Sequence, residues 1–344
     1  MLTEIDEPMM NTSEDGAPLV KMKDGLAVAA FMLLWLTGCA SAQVSMAESP
    51  HRGSASGSYA LANMHEHIQS VEEGAKLLDA MKAVGITHTV LVGSPQQTLF
   101  FKGGFTGYDE NNGQILTLQR LYPDAFSAFC TVNPRDPDKL RKLKGYVRAG
   151  SRGLKLYNGH ATFYDLPLTD SEMEPLYAYA QQRHLPVMFH VNLGRYLGEF
   201  EALMDAYPRL TVIVPHLGVS SIRLERLERL LDRYPTLYTD VSFGYQPFLI
   251  AALKRISKDP GKYRQFMQRY RARILFGTDV VVTSHPKKTA PWMAGVFQCY
   301  RDMLEQSRYR CALMEEELNG LALEPDILRD VYERNPQRVL GRSR

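Results

Sequence analysis

Short apolar, β-rich runs alternate with amphipathic helical stretches along most of the chain, and this alternation constrains the fold more than any other feature. Eight runs are strand candidates, namely Ala60–Met64, Thr87–Val92, Phe126–Val132, Gly153–Tyr157, Val187–Val191, Thr211–Val214, Leu237–Val241 and Ile274–Phe276. Helical patterns lie between them, for example Val71–Val84, Ser171–Arg183, Leu224–Arg233 and Pro291–Gln306. Eight such alternations predict an α/β fold, a single-domain (β/α)8 TIM barrel.

An open, doubly wound sheet is the alternative to the barrel. The first strand is not followed by a Gly-x-Gly-x-x-Gly sequence, so a dinucleotide crevice is not indicated. An extra basic helical stretch, Lys254–Arg273, lies between the seventh and eighth strands, and Glu315–Gly341 reads as a helical tail that caps the barrel.

The N-terminal residues have the layout of a secretory signal. The apolar run Leu26–Leu36 is too short to span a bilayer comfortably, lysines precede it and small residues follow it. Leu36-Thr37-Gly38-Cys39 resembles the bacterial lipobox, in which the cysteine is lipidated. Ala40-Ser41 resembles the pattern of lipoproteins sent to the outer membrane. We therefore predict an exported lipoprotein, attached to the membrane through Cys39.

These features divide the chain into a signal segment (1–39), a flexible tether rich in Ser, Ala and Gly (40–58) and a barrel with its helical tail (59–344). Acidic residues in 1–20 are unusual in a signal, and translation from Met22 would remove them. An ordinary signal cut near Ala42, or a short membrane anchor, are the alternatives.

Charge and cysteine content add limits. The formal net charge is +2 and no dense Lys/Arg block is present, so nucleic acid has no electrostatic argument as a partner. Cys130 lies in an apolar run and is predicted to be buried, whereas a Cys299–Cys311 bridge remains open from the sequence.

Ionisable residues follow the apolar runs at the predicted strand ends. They are His65 and His67 on the first strand, Lys155 on the fourth, His190 on the fifth, His216 on the sixth, Asp240 on the seventh and Asp279 on the eighth. Residues two apart on a strand share a face, and barrel active sites lie at the C-terminal strand ends. Imidazoles with a carboxylate suit one divalent ion such as zinc, with a position left for water whose pKa falls towards ~7.

This ordered set resembles the amidohydrolase superfamily. The segments Gly-Leu-Lys-Leu-Tyr157, Val-Met-Phe-His190-Val-Asn, Pro-His216-Leu-Gly and Leu-Phe-Gly-Thr-Asp279 resemble its amidohydrolase-related branch, and so does the ending at 335–341. That branch includes aminocarboxymuconate-semialdehyde decarboxylase, related decarboxylases, lactonases and hydratases. The resemblance covers roughly 61–341. Many relatives carry Asp where this chain has Asn63.

The resemblance implies roles for these residues. His65, His67, His190 and Asp279 match the ligands of a single metal ion, and His216 matches a residue that acts on substrate or water. In two-metal relatives, a carboxylated lysine at the position of Lys155 bridges the ions, and the histidine at the position of His216 is a ligand. Members of the branch often form dimers, so a homodimer is an open expectation.

We predict hydrolysis of an amide, lactone or ester bond of a small-molecule substrate by metal-bound hydroxide, with catalytic residues Asp279 as general base and His216 at the oxyanion. Lys155, His160 and Arg195 are candidate substrate contacts. A non-oxidative decarboxylase or hydratase on the same metal site is one alternative. A surface lipoprotein that keeps the barrel as a binding module without turnover is the other.

Overall fold

One parallel sheet organises the computed structural model, which describes residues 59–160, 162–219 and 223–341. Its strands are β1 (Leu61–Ile68), β2 (Ile86–Val92), β3 (Phe126–Thr131), β4 (Gly153–Gly159), β5 (Val187–Val191), β6 (Val212–Val214), β7 (Leu237–Asp240), β8 (Ile274–Leu275) and β9 (Val281–Val282). They follow the order β8-β7-β6-β5-β4-β3-β2-β1-β9. The predicted α/β, TIM-barrel-like domain is confirmed. The predicted signal segment with Cys39, and the tether, lie outside the described residues.

The two ends of this strand order, β8 and β9, are neighbours in the sequence. β8 pairs with β7, and β9 pairs with β1 at His67 and Ile68. Between them, Met64 N donates to Phe276 O over 2.8 Å and Asp279 N donates to His65 O over 2.8 Å. The segment 274–282 therefore joins the seventh strand to the first and brings the sheet into a ring.

Helices cover the outside of the ring. They are α1 (Gly74–Ala83), α2 (Gln96–Phe100), α3 (Tyr108–Leu121), α4 (Lys139–Arg148), α5 (Glu174–Gln182), α6 (Leu197–Ala206), α7 (Leu224–Arg233), α8 (Gln246–Lys258), α9 (Pro260–Arg269), α10 (Ala290–Glu305), α11 (Pro325–Arg329) and α12 (Asn335–Leu340). In α7, leucines at 224, 227, 230 and 231 are buried, as a helical period requires. None of the helices in these described ranges is long and apolar enough to cross a membrane.

Successive strand residues point to opposite sides of the sheet and pack into two separate clusters. Val90, Val92 and Met188 belong to a cluster inside the ring, while the intervening Leu91 belongs to the layer between sheet and helices. Leu340, from the last helix, joins the inner cluster. Because β-strands alternate in this way, nearly every residue of the parallel sheet is buried.

Within the described residues, the parallel sheet has nine strands where the sequence predicted eight, and β1 continues to Ile68 rather than ending at Met64. Two further details differ from the sequence expectations, and one open question is resolved. The stretch predicted as one helical unit over Lys254–Arg273 is divided between α8 and α9, because Asp259 accepts a hydrogen bond from Lys262 N and Pro260 begins the new helix. The predicted helical tail begins instead with a hairpin, β10 (Arg308–Arg310) and β11 (Glu317–Asn319). The open cysteine question is resolved by a disulfide between Cys299 and Cys311, and Cys130 is buried as predicted.

Candidate metal centre

The Nε2 atoms of three imidazoles face one carboxylate at the C-terminal ends of the strands. Asp279 Oδ1 lies 3.3 Å from His65 Nε2 and 2.8 Å from His67 Nε2, and Asp279 Oδ2 lies 3.7 Å from His216 Nε2. The ligand atoms of His65, His216 and Asp279 all lie within 4.8 Å of one another. The structure therefore brings strand ends that are distant in sequence to one point.

Asp240, at the end of β7, fixes the His65 ring. His65 Nδ1 lies 2.9 Å from Asp240 Oδ2. An ionised carboxylate can only accept hydrogen bonds, so Nδ1 carries the hydrogen and donates the hydrogen bond. The other oxygen of Asp240 accepts from His216 N and from the backbone and hydroxyl of Ser242. Burial opposes ionisation of Asp240, but the His65 contact outweighs it and lowers the pKa of Asp240 to about 2.

The His67 ring is fixed by Ser94, which follows β2. His67 Nδ1 lies 2.7 Å from Ser94 Oγ, and the Ser94 hydroxyl donates its own proton to Val92 O over 2.9 Å. Ser94 therefore accepts from His67 Nδ1. Burial lowers the pKa of His67 to about 4 and also lowers the pKa of His65, so both rings are neutral near pH 7.

His216 follows the same arrangement. Its Nδ1 lies 3.0 Å from the carbonyl oxygen of Ser242, which can only accept. The His65 and His67 rings thus hold their proton on Nδ1 and turn the electron pair of Nε2 towards the Asp279 carboxylate, and His216 turns its Nε2 towards the same carboxylate. Imidazole nitrogens and an ionised carboxylate around one point are a donor set that fits a divalent cation, and every Nδ1 has a hydrogen-bond partner behind the site.

The backbone holds Asp279 and His216 in the left-handed region, which residues other than glycine adopt uncommonly. Asp279 has a φ of 54° and His216 a φ of 61°. Such positions cost about 1–3 kcal/mol each and cluster at functional sites. Gly244 has room for the Asp279 carboxylate only because it has no side chain, since a Cβ there would collide with Asp279 Oδ2. Burial opposes ionisation of Asp279, but the facing imidazoles outweigh it and hold its pKa well below the usual range.

Lys155, on β4, lies at the floor of this centre. It is fully buried, its Nζ is 3.5 Å from His65 Nε2, and it lies over the Tyr157 ring. Burial lowers the pKa of Lys155 to about 8, although the Asp279 and Asp240 carboxylates act in the opposite direction. Lys155 is thus a buried amine beside the predicted metal ligands.

His190 and His160 line the next part of the mouth. The ring centroids of His190 and His216 are 4.8 Å apart, and those of His190 and His160 are 4.3 Å apart. Arg195 follows β5, with its side chain at the surface. His190 and His160 therefore lie beside the imidazoles that face Asp279.

Aromatic residues on the loops near the metal centre differ in burial. Tyr157, Phe163 and Phe243 are packed in the interior. Tyr245 is 44% exposed and Phe101, from the loop after β2, is 52% exposed. The ring centroids of Tyr245 and Phe101 are 6.4 Å apart, in an edge-to-face contact.

Two serines were not predicted from the sequence. Ser94 and Ser242 both hold imidazoles, and both come directly after strands whose ends carry functional residues. The histidines were predicted as ionisable residues at strand ends, and the same criterion would have predicted the two serines if it had included hydroxyl side chains. Glu66, between the two histidines of β1, is buried on the other side of the strand with hydrogen bonds to Asn63 and Thr278.

A parallel barrel with imidazoles and one carboxylate converging at its strand ends defines the class of metal-dependent TIM-barrel enzymes. A family model described as amidohydrolase matches residues 102–342. The chain therefore belongs to the amidohydrolase family, as the sequence resemblance predicted.

Solved structures of the same fold include enzymes with different reactions. A probable 2-pyrone-4,6-dicarboxylic acid hydrolase from Acinetobacter baumannii is 14% identical with a TM-score of 0.55, over 82% of this chain and 99% of that chain. A 4-oxalomesaconate hydratase from Rhodopseudomonas palustris is 16% identical with a TM-score of 0.51, over 82% and 96%. A 5-carboxyvanillate decarboxylase from Novosphingobium aromaticivorans, complexed with manganese, is 14% identical with a TM-score of 0.50, over 82% and 96%. No curated protein matches the sequence.

Proposed function

We propose that the chain is a hydrolase that uses one divalent metal ion, zinc in our prediction, to cleave an amide, lactone or ester bond of a small molecule. His65, His67, His190 and Asp279 would hold the ion. The observation that carries this proposal is that the Nε2 atoms of His65 and His67 both face Asp279 Oδ1, at 3.3 and 2.8 Å, which is an arrangement that a bound cation stabilises. His190 enters the proposed ligand set through the family resemblance, and its ring lies beside His216.

When bound, the ion would polarise the substrate carbonyl and lower the pKa of water towards ~7. Asp279 is ionised and stands at the mouth, so it accepts the proton of the attacking water. His216 is held by Ser242 through Nδ1, and its Nε2 lies 3.7 Å from Asp279 Oδ2. In this proposal Nε2 takes over the proton that Asp279 has accepted, and then donates it to the developing oxyanion or to the leaving group.

Substrate contacts are assigned by position. Lys155 and His160 both lie beside the metal ligands, and we propose that they orient polar groups of the substrate. We propose that Arg195, which is exposed in the loop after β5, contacts a carboxylate of the substrate.

The second candidate is a non-oxidative decarboxylase or hydratase on the same site. It is supported by the reactions named for the hydratase and decarboxylase of the same fold. Hydrolysis and these alternative reactions need the same metal ligands and differ in the contacts that the pocket makes with the substrate. If Arg195 binds a substrate carboxylate, this contact would favour the decarboxylase.

We also propose that the chain works outside the cytoplasm, as a lipoprotein attached through Cys39 at the outer membrane. The Cys299–Cys311 disulfide supports this, since disulfides persist in oxidising compartments. Mass spectrometry of the purified full chain tests it, because acylation of Cys39 adds a defined mass that is lost in Cys39→Ser.

Elemental analysis tests the metal proposal. We expect one divalent ion per chain, lost in His65→Ala and in Asp279→Ala. His216→Asn separates two roles: if His216 acts on substrate, the variant keeps its ion and loses turnover of an ester or lactone panel. His285→Ala, in a loop after β9, is the matched control and should keep both.

Other outcomes change the assignment. Two ions in the wild type would make Lys155 and His216 ligands. No ion in well-folded protein would contradict the catalytic proposal and favour the binding module. Turnover of carboxylates with release of CO2, without hydrolysis of esters or lactones, would favour the decarboxylase.

A further inference from the structure

The face opposite the metal centre carries a row of arginines. In a parallel barrel, the loops that precede the strands lie at the other end from the active site. Arg152, Arg183 and Arg209 lie in the loops before β4, β5 and β6, and all three are exposed. These strands are neighbours in the sheet, so their loops are neighbours too. We call this group the basic arc.

Contacts between the loops fix this adjacency. Gln119 of α3 donates to Gly150 O and accepts from Ala128 N, which joins the loop before β4 to β3. Arg209 N donates to Gln181 Oε1, which joins the loop before β6 to the end of α5. The three arginines therefore belong to one continuous part of the surface.

The positive charge of the basic arc is not neutralised by the protein. Within the described residues, the guanidinium groups of Arg152, Arg183 and Arg209 form no ion pair, in contrast to Arg233 and Arg269 nearby on the helices. Asp124 is the one acidic residue in the loops before β3 to β6. The negative end of a helix dipole can stabilise a cation at a helix C-terminus. Arg152 and Arg209 lie in loops beyond the helices, so this effect does not explain their positions.

An exposed apolar pair adjoins the arc. Leu121 is 56% exposed and Tyr122 is 40% exposed, and both lie at the end of α3, just before β3. An apolar and aromatic pair beside arginines is the composition of surfaces that enter the headgroup region of a membrane.

We propose that the basic arc, with Leu121 and Tyr122, is a membrane-docking surface that binds anionic lipid headgroups. The described chain begins at Tyr59, just before β1, and so enters the barrel at this same face. The proposal rests on the lipid anchor at Cys39 that is proposed above, because that anchor would bring the barrel to the membrane. The 19 residues 40–58 reach at most about 65 Å, which would let any face of the barrel meet the bilayer.

A docking surface would therefore decide which face of the barrel meets the bilayer. With the basic arc on the lipid, the metal centre faces away from the membrane, towards dissolved substrate. A single lipid chain binds a membrane weakly, and a basic patch adds its own binding free energy to that of the anchor.

Vesicle sedimentation tests the docking surface on the compact unit Gly57–Arg344, which contains the whole sheet and its core. The probes are vesicles of phosphatidylcholine alone, and of phosphatidylcholine with an equal amount of phosphatidylglycerol. We expect sedimentation with the anionic vesicles only. Arg152→Glu/Arg209→Glu should lower the partition coefficient roughly 30-fold, about fivefold for each arginine removed. Lys102→Glu/Lys287→Glu makes the same charge change in loops at the opposite end and should bind almost as the wild type does.

The proposal is overturned if the wild-type unit ignores anionic vesicles, binds both kinds equally, or is affected alike by the two double variants. Metal content and thermal unfolding of each variant establish that it is folded. The unit lacks Cys39, so vesicle binding is independent of acylation, which mass spectrometry of the full chain decides separately.

Discussion

At the scale of single residues, the orientation of each imidazole follows from what its Nδ1 contacts. Asp240, Ser94 and the Ser242 carbonyl each accept a hydrogen bond from the Nδ1 of one ring, so each ring presents its Nε2 to the site. These partners lie behind the site and would not touch a substrate. Their contribution is to fix the tautomer before a metal ion binds.

Ser94→Ala removes the partner of His67 Nδ1. We expect metal affinity to fall about 10- to 100-fold, because the ring loses both its tautomer preference and its orientation. Competition with a chelator measures the affinity. Ser127→Ala is the matched control, since Ser127 is a buried strand serine whose hydroxyl contacts His88 Nε2 at 3.0 Å, away from the site. Equal affinities in the two variants would contradict the assigned role.

The residues of the site could largely be predicted, because strand ends are visible in the sequence and barrel geometry brings them together. His65, His190 and Asp279 were each found as polar residues after apolar runs. Ser94 and Ser242 were not, because small hydroxyl residues after strands are common and nothing local marks these two. The left-handed φ of Asp279 has no clear local signal either, since most aspartates have a negative φ.

At the scale of elements, α12 closes the inner core of the barrel at the end opposite the metal centre. Val339 and Leu340 pack against Met64, Val90 and Phe129, which point inward from three strands. Gly341 ends the helix with a φ of 62°. The last helix therefore belongs to the core, which agrees with the capping role predicted for the tail.

Leu340→Ala should lower the free energy of unfolding by about 2 kcal/mol, at the low end for leucine because the side chain is at the rim of the core. Urea denaturation measures this. Leu121→Ala, at a leucine that is 56% exposed, should change stability by less than about 0.5 kcal/mol. Similar losses in both variants would mean that α12 does not stabilise the inner core.

Element type was more predictable than element ends. The strands β2 to β7 were found within two residues at either end. The hairpin of β10 and β11 was missed, since three-residue strands with exposed outer positions carry no periodic signal. The start of α9 had a readable signal in Asp259-Pro260, which a uniform basic pattern obscured.

At the scale of the whole molecule, a disulfide links helix α10 to the segment between β10 and β11. It joins Cys299 of α10 to Cys311, next to the hairpin, over a sequence separation of 12. Closing a loop of this length restricts the unfolded chain more than the folded one, which stabilises the fold.

Cys299→Ser/Cys311→Ser should lower the free energy of unfolding by about 2–3 kcal/mol while leaving the metal content unchanged. Thermal unfolding with and without dithiothreitol checks it. The reductant should lower the Tm of the wild type and leave that of the double variant where it is. A wild type insensitive to full reduction would show that the bond does not stabilise the fold.

The backbone hydrogen bonds between 274–282 and β1 have a consequence for the protein among its neighbours. An open sheet ends in strands whose outer N–H and C=O groups can pair with another chain, which is a common start of aggregation. Here the first and last strands satisfy each other, so the sheet has no unpaired side to offer. At high local concentration the protein is thereby protected from strand-to-strand association through this sheet.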